Sequence, residues 1–97
     1  MDIKIIKVKN LPAQAKAILV YPYIFTLESA TEIDINHEMI HVMQIKREGF
    51  IKCRIKYMAE YLINLIKYRD TQKAYRNISY EIEAYENQHD LSYTKNK

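Results

Sequence analysis

The sequence predicts an α+β fold, a small N-terminal β-hairpin or pair of edge strands followed by three helices. Residues 3 to 8 and 17 to 27 are rich in Ile, Val, Leu, Tyr and Phe, and Leu11-Pro12 and Tyr21-Pro22 punctuate them. Such X-Pro pairs favour extended or turning chain over helix. From Asp34 onward apolar residues recur at spacings of three and four, the period of a helix. A single glycine among 97 residues leaves little room for a loop-rich fold.

The β portion spans residues 1–27. Pro22 inside its second apolar run implies an edge strand, or two short strands meeting at a turn. Asp34 is a candidate N-cap for the first helix, with Ser29 and Glu32 forming a competing capping box one turn earlier. Gly49 stands where a C-terminal left-handed residue is wanted, so helix one runs over 34–48. Helix two, 50–69, carries Ile55, Met58, Ala59, Leu62, Leu65 and Ile66 at helical spacing, which predicts one buried face. A neighbouring stripe of Tyr57, Tyr61, Asn64 and Tyr68 reads as boundary packing with phenols reaching water, or as the lining of a ligand pocket. The pattern weakens between Asp70 and Ile78. Asn77 or Ser79 then caps a third helix over 78–92, and the tail 94–97 is expected to fray. The whole of 1–97 reads as one domain.

An apolar content of 48% supports a real but modest core. Chains this small commonly lean on a metal, on disulfides or on a partner subunit. Cys53 has no second cysteine to pair with, which leaves metal or oligomer. The net charge of +3 is mild and interspersed. Lys46, Arg47, Lys52, Arg54 and Lys56 come with no nucleic-acid fold signature, so no nucleic acid is expected as a partner. Glycine-cradled nucleotide sites fall away for want of glycine. The start of the sequence lacks a secretory pattern, and the chain reads as cytoplasmic. The stretch from Tyr57 to Ile66 is broken by Glu60 and Asn64 and is too short to cross a bilayer, while peripheral membrane contact is left open.

The chemistry lies in His37-Glu38-Met39-Ile40-His41. On a helix, residues four apart stack on one face, so His37 and His41 can offer ring nitrogens to one metal ion with Glu38 beside it. Zinc in such a site makes a bound water acidic near neutrality, and a flanking carboxylate can take its proton as it attacks a carbonyl. Glu38 is the candidate for that base. Gln44 and Glu48 continue the stripe, and Gln44 could hold a ligating ring by its far nitrogen, although a surface glutamine is the plainer reading. A third ligand is expected from Ser79 to Glu86, and His89 is a fallback by ligand type. Tyr75, Tyr80 and Tyr85 are all candidates for stabilising an oxyanion.

Asn36 to Gln44 reads Asn-His-Glu-x-x-His-x-x-Gln, and Ala74 to Tyr85 reads Ala-Tyr-Arg-Asn-Ile-Ser-aromatic-Glu-x-Glu-Ala-Tyr. In this order, on either side of a helix rich in Tyr and Leu, these segments resemble small zincin-like proteins of Bacteroidetes and their phages, sometimes labelled Fe-S proteins. One cysteine cannot hold an Fe-S cluster. The pair Glu81 and Ala84 also resembles the third-ligand segment of gluzincins. That resemblance implies a minimal zincin-like fold and a zinc metallopeptidase with Glu81 as third ligand and Glu83 as a supporting or surface carboxylate. Tyr85 stands where those families often carry Asp or Asn, which makes it a candidate for the site's surroundings or for substrate. The resemblance further implies a peptide or protein substrate laid along an edge strand within 18 to 27. The alternative from another class is a non-catalytic, zinc-stapled structural or interaction protein, for example within a phage particle.

Overall fold

The computed structural model describes residues 3–12 and 15–96. The expected β portion and tail also include Met1, Asp2, Ala13, Gln14 and Lys97, which lie outside the described residues. The fold is a small α+β arrangement, a three-stranded mixed sheet followed by helices. Strands β1 (Lys4–Lys7), β2 (Ala17–Val20) and β3 (Tyr23–Thr26) stand in the order β1-β3-β2. β2 and β3 form an antiparallel hairpin pairing Val20 with Tyr23, and β1 runs parallel to β3 with Lys4 opposite Tyr23. The turn between β2 and β3 contains the cis Tyr21-Pro22 bond. Of the run from Ile18 to Leu27, only β2 is therefore an edge; β3 is central. Alternation along β3 buries Ile24 and Thr26 on one face.

Helix α1 covers Glu32–Glu48. Its N-cap is Thr31 rather than Asp34: the Thr31 hydroxyl accepts from the Asp34 N–H, and Asp34 accepts from the Thr31 N–H at 2.9 Å, closing a capping box of their own. Gly49 then separates α1 from α2 (Phe50–Tyr68) with φ 95° and ψ 147°. This is positive φ as expected, but extended in ψ rather than left-handed helical, a region open in practice to glycine alone. A Cβ there would touch nothing within 4 Å, so backbone conformation and not crowding selects the residue. Arg69 closes α2 in the left-handed region at φ 54°.

Among the described residues four α-helices form instead of three. Asp70 caps α3 (Thr71–Arg76) by accepting from the Gln72 and Lys73 N–H groups, a short helix that the weak periodicity there concealed. The third-ligand segment becomes α4 (Ser79–Asn87), which stops five residues short of the expected 92. Tyr93–Asn96 is a 3-10 turn held by backbone bonds, where fraying was expected. α1 is the hub, packed against α4, α2, β2 and β3. Ile40 and Met43 of α1 bury fully apolar Ala84 of α4 between them, with Tyr93 alongside; the small side chain permits close helix approach. Removing Ile40 from water is worth about 1.5–3 kcal/mol.

The orientation of α2 is the largest departure from expectation. Its tyrosine stripe faces the body, with Tyr57 and Tyr61 packed on a cluster of Cys53, Ile78 and Tyr80. Asn64 donates to the Ala74 carbonyl at 3.0 Å. Ile55, Met58, Leu62 and Ile66, expected in the core, are exposed, as is Ala59. Among the described residues no helix is long and apolar enough to cross a membrane.

Candidate metal centre

His37, Glu38 and His41 form a group whose ligand atoms lie within 4.8 Å of one another, a candidate metal-binding cluster. The helical spacing of four brings the two imidazoles together edge to face, 5.0 Å between ring centroids. Opposite them comes Glu81, in the first turn of α4. Its position is set from another helix. No side chain of the N-cap Ile78 caps α4; instead Glu60 of α2 accepts from both the N–H (2.7 Å) and the hydroxyl (2.9 Å) of Ser79.

Glu81 Oε1 lies 3.2 Å from His37 Nε2 and 3.2 Å from His41 Nε2. Its other oxygen accepts from the Tyr57 hydroxyl at 2.8 Å. The far nitrogens of the rings are also occupied: His37 Nδ1 meets Gln88 Oε1 at 2.8 Å and His41 Nδ1 meets Gln44 Oε1 at 2.9 Å. The Gln44 amide cannot be turned around, because its nitrogen donates to the Tyr80 carbonyl (2.9 Å) and to Glu83 Oε1 (3.0 Å). Its oxygen therefore faces His41, whose Nδ1 must carry the hydrogen. Gln44 is 2% exposed, not a surface glutamine.

Glu38, whose carboxylate also lies within 4.8 Å of the ring nitrogens, makes its hydrogen bond elsewhere. Its Oε1 accepts the Leu19 N–H of the edge strand β2 at 3.0 Å, so it reaches across the cleft while Glu81 approaches the rings. Burial raises its pKa, with the Glu81 charge adding and the two imidazoles and the Leu19 N–H opposing. For Glu81 burial again acts upward, but hydrogen bonds to both histidines and to Tyr57 outweigh it and hold the carboxyl well below its ordinary range. Burial alone would lower His41, and the hydrogen bond and charge of Glu81 reverse this and raise it. Burial, followed by the charge of Glu81, keeps the Tyr57 hydroxyl protonated far above the usual phenol range.

Glu83 stands behind this layer, accepting from Gln44, from Arg47 at 3.1 Å and from the Tyr93 hydroxyl at 2.6 Å. Burial works against its ionisation, yet those donors lower its pKa to about 2. Tyr85 packs edge-on to His37 with 4.6 Å between ring centroids, and the Arg76 guanidinium stacks on its ring at 3.9 Å. Glu48 turns from the imidazoles to accept the Tyr80 hydroxyl at 2.8 Å, which removes that phenol as an oxyanion donor. His89 is exposed in the turn after α4 and takes no part in the cluster. Sequence reasoning missed Tyr57, Gln88 and Glu60 as parts of the site; the only signal for Tyr57 was its place in an aromatic stripe on α2.

A cleft of about 910 Å³ opens beside the cluster, with Leu19, Glu38, His41, Tyr75, Glu81 and Tyr85 on its walls. The edge strand β2 runs along one side. No protein-family description, curated protein or solved structure matches the chain. The class defined by fold and site is thus a small α+β protein with an H-E-x-x-H helix and a candidate metal centre.

Proposed function

We propose that the chain is a small zinc-dependent peptidase of the zincin type, with His37, His41 and Glu81 as metal ligands and Glu38 as general base. One observation carries the reading: two imidazole Nε2 atoms stand 3.2 Å from one carboxylate oxygen while both Nδ1 atoms face amide oxygens. A neutral ring that donates from Nδ1 turns a lone pair out at Nε2. Two lone pairs aimed at an anionic oxygen call for positive charge among them, as protons or as a metal ion. Ligand atoms about 2.0–2.2 Å from a tetrahedral ion stand roughly 3.3 Å apart, which these separations meet. Two imidazoles and a carboxylate suit zinc.

Zinc, when bound, polarises a carbonyl and makes a bound water acidic near neutrality. The other steps belong to the chain. Glu38 takes the proton of the attacking water and returns it to the departing amine. The edge of β2 aligns an extended peptide by strand addition, the Leu19 N–H exchanging its bond to Glu38 for one to the substrate backbone and so releasing that carboxylate to the water. Tyr85, on the cleft wall, is the phenol left to donate to the carbonyl oxygen as it gains charge, the Tyr75 hydroxyl being bonded to Tyr85. Gln44 and Gln88 fix the tautomers of the ligating rings, with Glu83 orienting Gln44. Tyr57 orients Glu81.

The second reading is a non-catalytic, zinc-stapled structural or interaction protein. The bond from the Leu19 N–H to Glu38 favours it, because it gives that carboxylate a structural use in anchoring β2 to α1. Metal analysis with thermal melts, with and without chelator, tests both. About one zinc per chain and a lower Tm after chelation are expected, and a metal-free chain with identical melts overturns both readings. Cleavage of a peptide library by the zinc-loaded parent supports the peptidase; zinc-loaded protein without cleavage assigns the staple.

A further inference from the structure

Helix α2 turns its most apolar surface outward. Ile51, Ile55, Met58, Leu62 and Ile66 are 71, 66, 50, 55 and 79% exposed. Their spacings of four, three, four and four draw one continuous stripe along the helix. With Phe50 and Ile63 beside it, the stripe presents on the order of 800 Å² of apolar surface, more than the roughly 300–600 Å² of an ordinary monomer's largest patch.

The charge around the stripe selects its occupant. Lys52, Arg54, Lys56 and Lys67 flank it, against a single acid, Glu60, whose two oxygens are engaged by Ser79. Lys52 and Arg54 form no ion pair among the described residues, and Lys56 reaches Glu48 only at 4.0 Å. A second copy docked antiparallel through this face would set cationic flank against cationic flank, with no acid to pair them. An anionic bilayer surface meets both features, acyl chains taking the stripe and headgroup phosphates the lysines. We propose that α2 lies in the interface of a bilayer containing anionic lipid. Phe50, Arg54 and Met58 also line the cleft, so docking brings the mouth of the cleft against the headgroups.

Flotation with vesicles of phosphatidylcholine alone, and of phosphatidylcholine mixed with an equal amount of phosphatidylglycerol, tests this. The chain is expected on the mixed vesicles, at least about tenfold more strongly than on neutral ones, with binding weakened by salt. Ile55→Asp with Leu62→Asp should abolish binding, and Lys52→Glu with Arg54→Glu should weaken it about tenfold, all with parental melting curves. Absence from both vesicle types, or undiminished binding by Ile55→Asp with Leu62→Asp, overturns the proposal. So does a dimer in ultracentrifugation that this double variant splits while lipid is ignored, which would assign the face to a second copy. Glu38→Gln is expected to float as the parent does, so failure of the peptidase reading leaves this measurement standing.

Discussion

Helices α1 and α2, 17 and 19 residues long and joined through Gly49, depart from an ordinary amphipathic helix in two different ways, α1 by burying polar side chains beside Ile40, Val42 and Met43 and α2 by exposing apolar ones. α1 buries Asn36, His37 and Gln44, whereas α2 leaves Ile51, Ile55, Leu62 and Ile66 in the open. Ordinary soluble helices do the reverse. A buried polar group costs free energy unless it is fully hydrogen-bonded, and here each is: the Asn36 amide donates to the Gln88 and Asp90 carbonyls at 2.8 and 3.1 Å, and no buried side-chain polar atom among the described residues lacks a partner. The inner face of α1 carries the candidate metal cluster, and the outer face of α2 carries the uncovered apolar stripe.

The comparison breaks first at Glu38. Glu38→Gln should keep fold and metal while turnover falls about a hundred- to ten-thousand-fold, since only proton transfer is lost; parallel assays of peptide cleavage and zinc content check this, and unchanged turnover would exclude Glu38 as the base. Next comes the choice between two carboxylates on α4. Glu81→Ala should weaken zinc binding by more than about a hundredfold, and Glu83→Ala, which reaches His41 only through Gln44, by about tenfold. Zinc titration at fixed pH measures both, and the reverse order would mean that Glu81 is not the ligand.

Proton linkage sharpens the same contrast. The raised pKa of His41 means that its contribution to metal-free stability is fully present below the ordinary imidazole value and is lost as pH rises through the folded value. Glu83, depressed from 4.5 to about 2, acts oppositely: its contribution is present above 4.5 and is lost as pH falls toward 2. Denaturant melts of chelated protein should therefore show stability falling from mildly acid to alkaline pH, and again in strong acid. Added zinc should stabilise more as pH rises, because the ligating rings must be deprotonated. Glu83→Gln should reduce the acid limb, the remainder coming from Glu81, and leave the alkaline limb unchanged. The smallest effect belongs to the outer face of α2, where Leu62→Ser should change stability by no more than about 0.5 kcal/mol. Ile40→Ala, in the core of α1, should cost about 2–5 kcal/mol. Equal losses at the two positions, by thermal melts, would show that the α2 face is covered within the molecule.

Local chemistry was legible before any tertiary structure. The pairing of His37 with His41 follows from helical geometry alone, and the strand signals around Tyr21-Pro22 and the break at Gly49 depend on residues next to each other in the chain. The start of α1 was less so, because Asp34 suits either an N-cap or the third position of a capping box and only Thr31 decides between them. Short α3 escaped because six residues carry too little periodicity to register, and its one sign, Asp70, is an equally good turn residue.

By itself the sequence determined the H-E-x-x-H helix, the small β portion and the existence of two contrasting faces on the second long helix, because each is a matter of spacing along one element. Which face of α2 turns inward was decided only by tertiary structure. The apolar stripe was the natural choice for the core, yet the tyrosine stripe supplies what the interior of this molecule needs: a phenol to bond Glu81, an amide at Asn64 for the Ala74 carbonyl, and bulk against Ile78. Hydrophobic periodicity measures the contrast between faces and not the hydrogen bonds waiting on the other side. For the same reason Gln88 and Glu60 have no signature in the chain, since their partners lie 51 and 19 residues away and meet them only once the helices have packed, whereas Gln44, three residues from His41, was legible as a partner of that ring and only its bond to Tyr80 awaited packing.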